Sequence, residues 1–201
     1  MDPETSANPV EMEIARALDE GALDVVATQI VSTYGPGILG FLMVRLNHEE
    51  SAREVFSAFA EELWKALPRF ERRSSAKTWA YAIAHRVALR RKRDDARAKT
   101  RPLRDSEHSK LAAAVASVSQ SLKHTENEQR LAALRASLTE DERTLLVLRI
   151  DRAMSWQDIA IVMKSGHTTT PAALRKRFER LKTRLRDTAE KQGLVERRGT
   201  E

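Results

Sequence analysis

Between Pro171 and Arg186 the chain sets seven basic residues (Arg175, Lys176, Arg177, Arg180, Lys182, Arg184, Arg186) against one acid, Glu179. Wound as a helix, this stretch puts Leu174, Phe178, Leu181 and Leu185 on one narrow apolar stripe. The opposite face carries Ala172, Lys176, Glu179, Arg180 and Thr183. The chemistry open to such a face is polyanion binding: ammonium and guanidinium groups pair with phosphates, and guanidinium forks also read base edges. A charged run on a helix is most often a solvated surface. The order of elements favours DNA here. Ser155 caps a short helix from Trp156 to Met163, Lys164 to Thr170 is a loop, and Thr170-Pro171 supplies an N-cap and a first-turn proline to the basic helix. That is helix-turn-helix order.

Two further charged clusters stand in the first half. One is the basic run Arg86, Arg90, Arg91, Lys92 and Arg93, at the end of a helix whose Trp79, Ile83 and Val87 recur at successive i+4 steps. That spacing favours core packing for Trp79 over base stacking. The other is acidic: Asn47, with Glu50 three residues on, has the spacing of a capping box, and Glu49, Glu50 and Glu54 crowd the helix it opens. Residues 1–50 hold nine acids against Arg16 and Arg45, a balance of −7, so a total of +6 leaves +13 for the remainder. A basic back end suits a polyanion and an acidic front suits a protein partner. No clustered carboxylates and no nucleophile with its base are visible, which argues against a nuclease or recombinase. With no Cys, a disulfide framework and a Cys-based zinc site are excluded. His85 reads as a surface residue with no metal partner at ligand spacing.

The elements that position these groups are helices. Aromatics make up only 5% of the chain and Gly and Pro number 7 and 6, too few for an all-β sandwich, while helix formers dominate. A helical pattern starts at Met12, a second runs from about Leu23 to Thr33, and Gly35-Pro36-Gly37 reads as a strong breaker before a short helix from Ile38 to Leu46. Val55, Phe56, Phe59 and Leu63 form the apolar side of the next helix, which stops at Pro68. Ser74 and Ser75 mark the following start. The expected division is a disordered stretch 1–11, a helical bundle 12–93, a flexible linker 94–126 with a marginal helix at Leu111 to Leu122, a helix-turn-helix unit 127–190 beginning with a helix through Leu131, Leu134 and Leu138, and a tail 191–201. The fold expected is all-α, as two small helical domains. No run approaches the roughly 18 apolar residues of a membrane span, and the polar N-terminus has no leader pattern, so a cytoplasmic protein without membrane insertion is expected.

Both halves carry runs that resemble a known family. Asn47-His-Glu-Glu-Ser-Ala-Arg-Glu-Val-Phe56, Trp64-Lys-Ala-Leu-Pro-Arg-Phe70 and Ser75-Ala-Lys-Thr-Trp-Ala-Tyr-Ala-Ile-Ala84 resemble region two of the extracytoplasmic-function (group four) sigma factors of bacterial RNA polymerase. Leu138-Thr-Glu-Asp-Glu-Arg143, Met154-Ser-Trp-Gln-Asp-Ile-Ala160 and Leu174-Arg-Lys-Arg-Phe-Glu-Arg180 resemble region four. The likeness spans about residues 20–190 in family order. Ser51 and Arg53 stand where the family has Leu and Gln, Arg86 where it has Asn, and Ala172-Ala173 where it has Gly-Thr, which marks a divergent member.

The resemblance implies a promoter-specificity subunit with no cofactor and no catalytic residue. Its partners would be core RNA polymerase (the β′ clamp coiled coil and the β flap), promoter DNA and, as often in the family, an anti-sigma factor. Glu49, Glu50, Arg53 and Glu54 are the implied polymerase contacts. The loop Phe70 to Lys77 would hold a flipped −10 base, with Arg72, Arg73, Ser74 and Ser75 as loop groups and Lys77, Arg86, Arg90, Arg91 and Arg93 as charge. At the −35 element, Lys176, Glu179 and Arg180 would face bases, Arg175, Arg177, Lys182 and Arg184 would lie nearer phosphates, and the cap residue Thr170 would also contact the DNA. Competing readings are a free-standing helix-turn-helix regulator, disfavoured by the lack of a dimerisation heptad, and a partner-only protein that has lost polymerase binding.

Overall fold

The computed structural model describes residues 8–99, 137–164, 169–191 and 193–194. Among them every regular element is helical: α1 (Pro9–Asp19), α2 (Leu23–Leu46), α3 (Glu49–Ala66) with a 3-10 turn Leu67–Arg69, α4 (Ala76–Lys99), α5 (Glu140–Leu146) running into a π-type turn Val147–Asp151, α6 (Trp156–Val162) and α7 (Pro171–Lys191). Most of the expected linker, the candidate helix at Leu111 to Leu122, and Leu131 and Leu134 lie outside the described residues.

The capping chemistry of the sequence accounts for most helix starts. Asn8 accepts the Val10 N–H at 3.1 Å and Pro9 occupies the first turn, so α1 begins three residues before Met12, inside the stretch expected to be disordered. Thr139 and Glu142 form a reciprocal capping box on α5. Ser155 caps α6, and Thr170 accepts the Ala173 N–H at 3.2 Å to open α7. At Asn47 the expectation fails. Asn47 ends α2 in the left-handed region at φ 53, and His48 is the N-cap of α3, its Nδ1 accepting the Ser51 N–H at 3.2 Å. Asn tolerates that backbone conformation, so it serves as a stop where its side chain had suggested a start.

The expected break at Gly35-Pro36-Gly37 is also absent: α2 runs straight through it. An interior proline costs a helix roughly 3 kcal/mol and a glycine about 1 kcal/mol. Tertiary contact supplies the compensation, because the glycines are points of close approach. A Cβ on Gly35 would lie 3.3 Å from the Phe56 ring, on Gly37 2.6 Å from Tyr81 Oη, and on Gly40 3.0 Å from Arg152 Nη2. With its 24 residues and a mean hydropathy of 1.3 over its most apolar window, α2 is long and apolar enough to cross a membrane, contrary to the expectation from the sequence. It packs against α1, α3, α4 and α5, which explains apolar residues on all its sides. Val26, Ile30, Ile38, Phe41 and Leu42 are all fully buried.

The C-terminal helices share this core. α5 packs on α2 and α6 on α4, and Leu145, Leu148, Ile159 and Leu174 join one buried cluster with Ile30, Phe41, Phe59 and Tyr81. The seam is polar at its centre. Arg45, 1% exposed, donates to Thr144 Oγ1 and lies 3.6 Å from Glu140 and 3.9 Å from Asp141. Arg143 in turn donates to the Arg45 carbonyl at 3.2 Å and 3.3 Å.

Candidate nucleic-acid and polymerase interfaces

The basic helix α7 is oriented as its apolar stripe requires. Leu174, Phe178 and Leu181 are buried and Leu185 half-buried, with Phe178 edge-on to Trp156 at 5.5 Å. Lys176, Glu179 and Arg180 are therefore exposed together on the far side. The flanking cations divide. Arg177 pairs with Asp141 at 3.7 Å, Arg184 with Glu142 at 2.8 Å, and Lys182 with Glu179 at 2.9 Å. The Arg184 hydrogen bond holds the Glu142 carboxyl below the usual range, against the opposing effect of burial. Arg175 lies 6.0 Å from the Trp156 ring, on which Arg149 also sits at 4.7 Å. Lys176 and Arg180 thus form the part of this face whose charge no acid in α5 offsets.

The loop between the 3-10 turn and α4 is held from outside. Arg72 adopts φ 56, a left-handed conformation rare for a side-chain-bearing residue, and donates to Asp19 of α1 at 2.6 Å. Arg73 pairs with Glu71 at 2.5 Å, and Ser75 caps α4 by accepting the Thr78 N–H at 3.1 Å. Glu11 of α1 accepts the Ala76 N–H at 2.8 Å and the Lys77 N–H at 3.0 Å, and also the Tyr34 hydroxyl at 2.8 Å. Burial and Glu11 push the Tyr34 pKa up. A small cleft of about 120 Å³ is lined by Ile14, Ala15 and Leu18 of α1 and by Phe70, Arg72, Ser74 and Ala76. Trp79 is half-buried and stacks on Phe70 at 4.4 Å, a packing role rather than an exposed platform.

Further along α4, Arg86, Arg90, Arg91 and Arg93 are exposed, with Arg90 paired to Glu62 at 3.2 Å and Arg91 to Glu54 at 2.7 Å. Lys77 is not on that open surface; it is half-buried and donates to the Arg152 carbonyl at 3.1 Å. His85 is a correction. It is 2% exposed, faces Phe41, and its pKa falls to about 3 through burial and then the nearby Arg45 charge. On a helix covered by α2 and α6 as well as α3, its position is interior, which a single-face reading of α4 does not anticipate.

On α3, Glu49, Glu50, Arg53 and Glu54 are all exposed, as the acidic cluster suggested. Glu49 and Arg53 pair at 2.7 Å, whereas Glu54 is tied across to α4 by Arg91. Trp64 was missed. It is 54% exposed on the same helix, and its offset from the buried Val55, Phe59 and Leu63 row was the signal that could have found it. Glu11 and Asp19 were missed too, because nothing in a sequence links a residue to a loop more than fifty positions away.

No curated protein matches the chain. A family match does exist, and it falls on the stretch that holds most of α2, all of α3 and nearly all of α4. Binding to core RNA polymerase and to promoter DNA is what that family implies. Residues 30–98, about a third of the chain, match the family model of sigma-70 region 2.

Proposed function

We propose that the chain is an alternative sigma factor of the extracytoplasmic-function group, a cytoplasmic protein that binds core RNA polymerase and directs it to specific promoters. The observation that carries this reading is the region 2 match over residues 30–98, followed in the same chain by the capped helix pair α6 and α7 with its basic outer face. In this reading Glu49, Glu50 and Arg53 at the start of α3 meet the β′ clamp coiled coil, and Trp64 adds apolar area to that surface. Glu54 contributes through its link to Arg91. The loop from Phe70 takes a flipped −10 base, with Arg72, Arg73, Ser74 and Ser75 around it, and Arg86, Arg90, Arg91 and Arg93 follow the phosphates. α7 enters the major groove at −35, Lys176, Glu179 and Arg180 toward base edges and Arg175, Arg177, Lys182 and Arg184 toward phosphates. The β flap and an anti-sigma factor are further partners on this reading.

Run-off transcription with purified core polymerase over a genomic promoter library tests it. A defined set of transcripts that needs both core and this chain is expected. Nanomolar, sequence-specific DNA binding by the chain alone at physiological salt, without polymerase-dependent transcripts, would replace this reading with a free-standing regulator.

A further inference from the structure

We propose that α1, upstream of the matched residues 30–98, is a working part of the −10 reader, with Glu11 and Asp19 as positioning residues that set which base the loop accepts. The inference rests on the promoter reading above. It begins from the loop's own poverty of constraint. Arg72 sits at φ 56, where an L side chain is strained, and the contact that fixes its guanidinium is Asp19, at 2.6 Å on another helix.

The start of α4 shows the same dependence. The first N–H groups of a helix have no partner within it, and two of those of α4, from Ala76 and Lys77, are taken by the two carboxylate oxygens of Glu11. Tyr34 of α2 donates to the same carboxylate at 2.8 Å, so Glu11 is itself held on both sides. These amides are then spent on protein and not on a phosphate. What is left for nucleic acid is the small cleft, which α1 helps line: Ala15 and Leu18 stand beside it together with Phe70, Arg72 and Ser74. A base held by the loop would lie beside this edge, so a shift of α1 moves the groups that meet it.

The charge has the wrong sign for a surface that merely attracts DNA. Two carboxylates beside a phosphate path oppose binding, so a role that only placed charge would show as stronger binding to every sequence once they were removed. A positioning role makes a different forecast: loss of base choice at −10 alone.

The full chain with core polymerase is assayed on two promoter libraries, one randomised at −10 and the other at −35. Glu11→Ala and Asp19→Asn are expected to flatten the −10 preference by roughly 5- to 30-fold at the favoured base. The −35 preference and core affinity should stay as in wild type, and Asp19→Glu, which keeps the carboxylate, should retain the −10 preference. Asp19 and Arg72 are both exposed, so Asp19→Asn keeps the test open even where Glu11→Ala unfolds the chain. An unchanged −10 preference in a folded Asp19→Asn chain, or a uniform gain at all sequences, would overturn the inference. A wild-type chain that yields no promoter-dependent transcript sinks the promoter reading itself, and this inference with it.

Discussion

The seam between the two sets of helices makes a sharp energetic forecast at Thr144. Its hydroxyl accepts from Arg45, a guanidinium 1% exposed, and Thr144 itself is 0% exposed. Thr144→Val keeps the side-chain volume and removes the acceptor. A hydrogen bond to a charged group is worth about 1.5–3 kcal/mol, and its loss here strands a buried donor beside Arg45 Nε, which already has no partner. The lost Thr144-to-Glu140 carbonyl bond is internal to α5 and adds little. A cost of about 2 kcal/mol corresponds to a fall of roughly 4–8 °C in melting temperature for a chain of this size. Arg45→Met should behave oppositely. It removes the whole desolvation cost, and Glu140 and Asp141, at 28% and 51% side-chain exposure, stay solvated without it. That variant is expected within about 1 kcal/mol of wild type, or above it. Urea melts followed by far-ultraviolet circular dichroism measure both. A Thr144→Val protein as stable as wild type, or an Arg45→Met protein less stable than Thr144→Val, would refute the reasoning.

Four other outcomes are expected. Glu49→Lys with Glu50→Lys, and separately Trp64→Ala, should weaken core polymerase binding in a pull-down with little change in the circular-dichroism melt beyond the helix-dipole cost of the two lysines; unchanged affinity would remove this face of α3 from the interface. Lys176→Ala and Arg180→Ala should leave stability alone and cost about 1–3 kcal/mol at one or two −35 positions, whereas Arg184→Ala also loses the Glu142 pair and should lower stability; selection of −35 variants against each protein separates them. Thr78→Cys with Asp158→Cys, replacing side chains that meet at 3.0 Å in a chain with no other cysteine, should lock α6 on α4 when oxidised. Elements named −10 and −35 are about 25 base pairs, or roughly 85 Å, apart, so run-off transcription should be lost on oxidation and return on reduction; activity in the oxidised state would show that the readers need not part. Finally, the neutral His85, with a pKa near 3 in the fold, binds fewer protons than its unfolded form near 6.5, so stability should fall as pH drops below about 6.5. At pH 5 this amounts to about 2 kcal/mol, and His85→Leu should flatten that part of the pH–melting curve.

Much of the local chemistry was legible in the residues. The Ser155 and Thr170 caps and the orientation of α7 depend on contacts within about one helical turn, so spacing could place them, whereas Asn47, with capping-box spacing, ends α2 because its backbone is left-handed. The exposed acids of α3 and the outward face of Lys176 and Arg180 follow from the same rule. The shape of α2 was different. Gly35-Pro36-Gly37 carries every local signal of a break, and only the nearness of Phe56, Tyr81 and Arg152 turns those glycines into contact points on an unbroken helix. His85 and Lys77 read as surface residues because a pattern shows one buried face, and α4 is covered on a second side by a helix from far along the chain. Arg45 and Thr144 are 99 residues apart, and Glu11 and Ala76 are 65 apart. Helix type and face are set by neighbours in sequence; which charge is buried, which loop is braced and which helix end is already occupied are set by neighbours in space, and these only the packed chain brings together.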